Sequence, residues 1–193
     1  MKKMMFSDKY CLTKAVLDGT KTMTRRVLKE GAPLGNWEET AKHLPYKVGE
    51  VVAIAQPYKD IIESMAEYSD IIINVDGSIN REYKAGWTNK MFVKADLMPH
   101  HIRITDVKIE HLQDISDKEC LREGVKRASI GFYAEGVKVK DCEKEAHRET
   151  ASGCLKLFPF PRLAFASLID KISGKGTWES NPWVVAYSFE LVD

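Results

Sequence analysis

The chain has 193 residues, of which 44% are hydrophobic and 30% charged, and its formal net charge is +1. These figures describe an ordinary globular protein with enough apolar mass for a core, and the near-neutral total gives no argument for or against nucleic acid. No apolar run approaches membrane-spanning length, and Asp8, Lys9 and Lys14 break any signal-peptide core behind the leading lysines, so a cytoplasmic protein with no membrane partner is expected.

The charge is unevenly placed. Residues 1–30 hold eight lysines and arginines against three carboxylates, a surplus of five. Ser7 reads as the N-cap of a helix whose apolar face is Leu12, Ala15 and Val16, and Gly19 as its left-handed stop. The segment "GTKTMTRR", Gly19 to Arg26, therefore begins where a helix ends, in position to form a concave turn. Within it Lys21 and Thr24 are three apart and can reach one small volume. A threonine hydroxyl becomes a nucleophile only beside a group that takes its proton, and a lysine can do so only with a lowered pKa. Lys-x-x-Thr is a common pairing, and a solvated basic turn fits the octet equally well.

"VVAIA" (51–55) reads as a strand, 59–68 as a helix, "DGSIN" as a turn and "MFVKA" (91–95) as a second strand. "HIRITDVKIEHL" (101–112) alternates, slips phase at Thr105-Asp106 and continues, the pattern of one long strand with a bulge. His100 and His101 would face opposite ways and make a poor metal pair. Ser116 and Glu119 form a capping box for a short helix stopped by Gly124. Glu123 sits at that helix's C-terminus, where a carboxylate opposes the dipole. Residues 126–157 read as an insertion. Pro161 opens a helix with the stripe Phe165, Leu168, Ile169 and Ile172. Trp183 to Leu191 alternates as a last strand. Trp178 and Trp183 flank an Asn-Pro turn; exposed they could stack a base, and the alternation favours burial. The four cysteines show no C-x-x-C pair, so reduced thiols are expected. Cys142, His147 and Cys154 are the one set that could be drawn as metal ligands, but no metal and no cofactor is expected. Strands outnumber helices without βαβ regularity, which predicts an α+β, mostly β, mixed barrel with peripheral helices.

Together these segments resemble the ASCH domain family of the PUA-like superfamily, in its longer phage and prophage form. The family signature, roughly G-x-K-x-x-[E/T]-x-R after the first helix, is matched by Gly19, Lys21, Thr24 and Arg26. "PYKVGE", "RITDVKIEHLQDIS", "CLREGV" and "WESNPWVVAYSFE" follow in the family's order, covering about half the chain. The resemblance implies a single PUA-like domain over 1–193, with insertions at about 59–90 and 126–157. It also implies recognition of a nucleobase, nucleoside or nucleic acid, RNA rather than DNA, with Gly19, Arg25, Arg26, Trp178 and Trp183 as ligand-binding candidates. The alternative it implies is an amidohydrolase that deacylates the exocyclic amine of acylated cytidine, its catalytic set falling on Lys21, Thr24 and Glu123. One departure stands out. Ala53-Ile54-Ala55-Gln56 occupies the place where phage-type relatives often carry Trp-Val-Arg-Glu.

Overall fold

Alternating apolar residues build the longest strands, and the computed structural model places them in one mixed sheet. It describes residues 1–29, 31, 32, 34, 37–64, 69–151 and 153–192. The sheet runs β1 (Lys3–Met4), β3 (Val51–Ile54), β4 (His101–His111), β9 (Trp183–Leu191), β2 (Met23–Val27). No strand pair among the described residues joins β1 to β2, so the order stays open. Two further sheets, β5 (Lys126–Arg127) with β6 (Phe132–Tyr133) and β7 (His147–Thr150) with β8 (Gly153–Lys156), have two strands each. The mixed α+β composition expected from the sequence holds.

The chain divides into two compact units. The first comprises Met1–Phe6, Glu50–Arg103 and Leu191–Asp193; the second comprises Ser7–Gly49 and Ile104–Glu190. In the first, β1 lies parallel to β3, and β3 antiparallel to the start of β4 with Val52 opposite Ile102. Ala53, Ala55, Tyr58, Ile61, Ile72, Tyr83, Val93 and Met98 close its core. Helix α3 (Tyr58–Ser64) covers the first part of the expected 59–68 helix, and residues 65–68 lie outside the described residues.

The expected strand at 91–95 does not form. A 3-10 turn occupies Lys90–Phe92, because the local backbone groups are claimed by side chains. The Lys3 ammonium donates to the carbonyls of Met91 at 2.6 Å and Val93 at 2.7 Å, and the Lys94 amide donates to Tyr58 Oη at 2.7 Å. A segment whose carbonyls and amides are bound sideways has nothing left for a ladder.

In the second unit the first helix starts later than its sequence suggests. Ser7 makes no side-chain cap; a 3-10 turn spans Asp8–Tyr10, Cys11 takes a left-handed conformation at φ 53°, and α1 runs Leu12–Leu17. Asp8 is held by the Thr13 hydroxyl at 2.5 Å, which fixes this entry. Other sequence signals appear as expected. Gly19 is left-handed at φ 69°, and Ser116 and Glu119 reciprocate across the N-terminus of α5 (Asp117–Arg122). Thr105 and Asp106 are consecutive exposed residues within the unbroken β4, where the phase slip was read. Helix α6 (Pro161–Ser173) begins on its proline and buries Ala164, Phe165, Leu168 and Ile169. With Leu112, Ile115, Cys120, Val125 and Val184, three of these (Ala164, Phe165 and Ile169) form the core beneath β4 and β9.

Candidate functional site

All the residues singled out in the octet lie in the second unit, at the junction of α1, β2 and α5. The backbone leaves α1 through Gly19 and turns back, with the amides of Thr20 and Lys21 both donating to the Ala15 carbonyl at 2.9 and 2.8 Å. Thr22 then ties the octet to the end of α5. Its amide donates to the Arg122 carbonyl at 3.0 Å, and its hydroxyl accepts from Arg122 Nε at 3.0 Å. This is how residues a hundred positions apart in sequence come to share one site.

Lys21 points inward, and its side chain is only 2% exposed. Its ammonium donates to the Met23 carbonyl at 2.7 Å, the Glu123 carbonyl at 2.7 Å and Glu123 Oε2 at 2.8 Å. Three oxygens at these distances match the three donors of an ammonium. Burial pushes the lysine below its ordinary range; the Glu123 carboxylate pulls the other way, and Arg26 and Arg25 add to the lowering.

Arg25 is buried beside it, with its side chain wholly hidden from solvent. Its guanidinium reaches Glu110 Oε1 through Nη2 at 2.5 Å and Nε at 2.9 Å, Glu119 Oε2 at 3.1 Å and Glu123 Oε1 at 3.2 Å. Lys108, on the same side of β4 as Glu110, bridges Glu110 Oε2 at 2.8 Å and Glu119 Oε1 at 2.6 Å. Three cations and three carboxylates thus form one balanced network. Burial alone would raise the Glu119 carboxyl; hydrogen bonds from Lys108 and Ser116, with the Arg25 charge, outweigh it and bring the group down to about 2. Glu123 closes α5 as its C-cap, and the cost of setting a carboxylate against the dipole is offset here by two cations.

Thr24 lies on the other side of β2. Within the strand Met23 and Arg25 share a face, as the contact of Arg25 Nη1 with Met23 Sδ at 3.1 Å confirms, so Thr24 and Arg26 project oppositely. Thr24 is paired with Tyr187 of β9, and the Tyr187 ring meets Tyr46 edge-on at 5.4 Å between centroids. Thr24 is buried and Arg26 half-buried. Among the described residues no hydrogen bond joins Thr24 Oγ1 to Lys21 or Glu123. The fold therefore brings Lys21, Arg25 and Glu123 together, and sets Thr24 opposite the buried Tyr187 with the half-buried Arg26 two residues on, opposite Val185.

The two tryptophans separate. Trp183 is not buried as its alternation suggested: it is 39% exposed at the start of β9 and lies over the His111 ring at 4.0 Å. Trp178, in α7 (Thr177–Ser180), is half-buried edge-on to Phe165 and lines a shallow groove with Asp117, Phe160, Arg162 and Leu163. The reduced-thiol expectation is corrected for one pair, since Cys142 and Cys154 are joined in a disulfide. Their sulfurs are bonded to each other, and among the described residues no group of three or more His, Cys, Asp or Glu could hold a metal ion.

Glu110, Glu119 and Lys108 were not singled out in the sequence. Glu119 was legible only as half of a capping box, and it does both jobs, one oxygen on Lys108 and the other on Ser116 and Arg25. Lys108 and Glu110 carried a usable signal, two opposite charges at strand spacing in "VKIEHL".

No protein-family model matches the chain, and no curated protein matches it. Solved structures similar to it include a protein of the DUF984 family from Enterococcus faecalis, 14% identical, covering 100% of this chain and 82% of the other at a TM-score of 0.41. They also include an ASCH domain from Lactobacillus crispatus, 12% identical, covering 96% of this chain and 75% of the other at a TM-score of 0.37. No helix among the described residues is long and apolar enough to cross a membrane.

Proposed function

We propose that the Thr24 side of β2 and β9 recognises a nucleobase, carried on a nucleoside or on RNA, with the Lys21–Arg25–Glu123 network as the scaffold that fixes β2. The observation that carries this reading is saturation. All three Lys21 donors and both Glu123 oxygens are already engaged inside the protein. An ammonium has no lone pair with which to take a proton, and each Glu123 oxygen already accepts from a buried cation. A recognition site needs a rigid edge with hydroxyl and guanidinium donors; Thr24, opposite the buried Tyr187, and the half-buried Arg26 supply them on one side of β2.

One observation favours the second reading, amide hydrolysis of an acylated cytidine. Burial lowers the Lys21 ammonium, and Glu123 Oε2 at 2.8 Å is a ready acceptor for its proton. The resulting neutral amine would be the proton acceptor for Thr24 as nucleophile, with Arg26 holding the developing oxyanion.

Thr24→Ala separates the two readings, because it leaves the buried network whole. Binding of cytidine, uridine, acylated cytidines and a short RNA is measured by calorimetry, and release of the acyl group by chromatography. Recognition predicts binding by the wild type, no turnover, and an affinity loss of roughly five- to tenfold in the variant, the worth of one hydrogen bond. Turnover by the wild type that vanishes in Thr24→Ala with binding intact would establish the hydrolase instead.

A further inference from the structure

The segment after β6 contains a feature that the β2 site does not use. Cys142 and Cys154, twelve residues apart, form a disulfide with their Cα atoms 6.2 Å apart. Cys142 sits on an exposed loop and Cys154 is half-buried in β8, so the bond is within reach of a small thiol. The other two cysteines are placed differently. Cys11 is a single exposed thiol, and Cys120 is buried in the core, its thiol pushed up to about 12 by burial and then by Asp117.

The bond encloses β7 and the first residues of β8. These strands have four residues each, and among the described residues β8 is the only strand that β7 pairs with. A two-stranded ribbon of this length is marginal by itself in water. Backbone bonds tie β8 to the segment before it, Val139 N donating to Cys154 O at 3.1 Å and Lys156 N to Val137 O at 2.8 Å, while Leu157 N to Ala146 O at 2.9 Å extends the β7–β8 ladder. Leu155 is buried, and the Arg148 guanidinium lies 5.0 Å above the Tyr133 ring and bonds its hydroxyl. Both of these backbone anchors and the buried leucine belong to residues 154–156, at or next to Cys154. Among the described residues β7 makes its ladder to β8 alone, with Arg148 on Tyr133 and Glu145, just before the strand, on Lys140 and Lys156.

We propose that Cys142–Cys154 is a reversible redox staple: oxidised, it orders the β7–β8 hairpin against residues 132–139, and reduced, it lets β7 open while β8 stays seated. The chemistry is thiol–disulfide exchange. A thiolate of an external dithiol attacks one sulfur and displaces the other cysteine as a thiol. The second thiol of the reductant then resolves the mixed disulfide, so the protein gains two electrons and two protons and the reductant leaves as its own disulfide. The reverse step uses a low-molecular-weight disulfide such as glutathione disulfide, which leaves as two thiols. The cross-link acts on the opened ensemble, removing freedom that the loop otherwise regains.

The test uses the full chain after equilibration with glutathione disulfide or with dithiothreitol. Thiols are counted in denaturant, and amide hydrogen exchange is followed over 137–157 and over β9. The expected result, read at Cys142 and Cys154 themselves, is no free thiol in the oxidised protein and two in the reduced. Amides of 147–150 should exchange at least about tenfold faster on reduction, with those of β9 unchanged. The double variant Cys142→Ser with Cys154→Ser should exchange over β7 as the reduced protein does in both conditions, and unchanged β9 exchange in it reports an intact fold. Free thiols at Cys142 and Cys154 after oxidation would overturn the staple. So would equal exchange of β7 in the two states, acceleration spreading to β9, or β7 exchange that still quickens on reduction in the double variant.

Discussion

Arg25 carries a guanidinium into the interior, and three carboxylates meet it there. Such a network is weak testimony for stability in itself, since its desolvation cost rivals its attraction, but removing one member strands the rest at a cost of roughly 3–5 kcal/mol. Glu119 gives the most readable consequence. Its folded carboxyl stands at about 2 against an ordinary 4.5, so its contribution is fully present above pH 4.5 and is lost as the pH falls toward 2. Glu119→Gln should lower the urea midpoint at neutral pH and flatten its decline across that window; an acid limb as steep as that of the wild type would contradict the assignment. At this scale the sequence was half legible. Lys21 and Glu123 could be named from their motifs, but the other carboxylates that meet Arg25 lie on β4 and α5, and only the fold supplies that adjacency.

The elements divide by what competes for their backbone. β9, α6 and the capped α5 could be read because period, cap and stop agreed, and nothing elsewhere claimed their amides. "MFVKA" has strand-like residues yet is a turn, because Lys3 and Tyr58 take its polar groups from outside the segment. The start of α1 moved for a related reason, the local Asp8–Thr13 bond. The junction between α5 and the strand after it is the most constrained of these elements. Gly124 has φ 106°, and a Cβ there would stand 3.0 Å from Leu12 Cδ2. Gly124→Ala should therefore cost about 1–2 kcal/mol in urea denaturation, from the left-handed backbone before any crowding is counted. A neutral result would mean that the turn relaxes without moving its neighbour Glu123.

Across the whole molecule, the basic bias of the first thirty residues is largely cancelled from within. Lys2 is paired with Glu50, Lys14 with Asp18, Lys21 with Glu123 and Arg25 with three glutamates, while Lys3 is held by carbonyls. Five of the eight cations counted in the sequence are thus committed, which composition could not reveal. Binding to a single strand changes with salt by roughly −0.7 in log K per log unit for each phosphate neutralised. With most of the cations on this segment already engaged inside the protein, RNA binding should show a slope no steeper than about −1.4, two phosphates' worth, between low and physiological salt. A slope of −3 or beyond would place a phosphate-tracking surface elsewhere on the chain.

The same saturation bears on descent. A residue that only touches a ligand is free to drift once the ligand is gone, whereas Lys21, Arg25 and Glu123 hold one another, and a change in any one leaves a charge stranded in the interior. Replacement has to come in matched pairs, which single substitutions rarely reach. "GTKTMTRR" would therefore outlive the loss of whatever it once served, and two chains sharing it are guaranteed a common way of seating β2 before they are guaranteed a common chemistry.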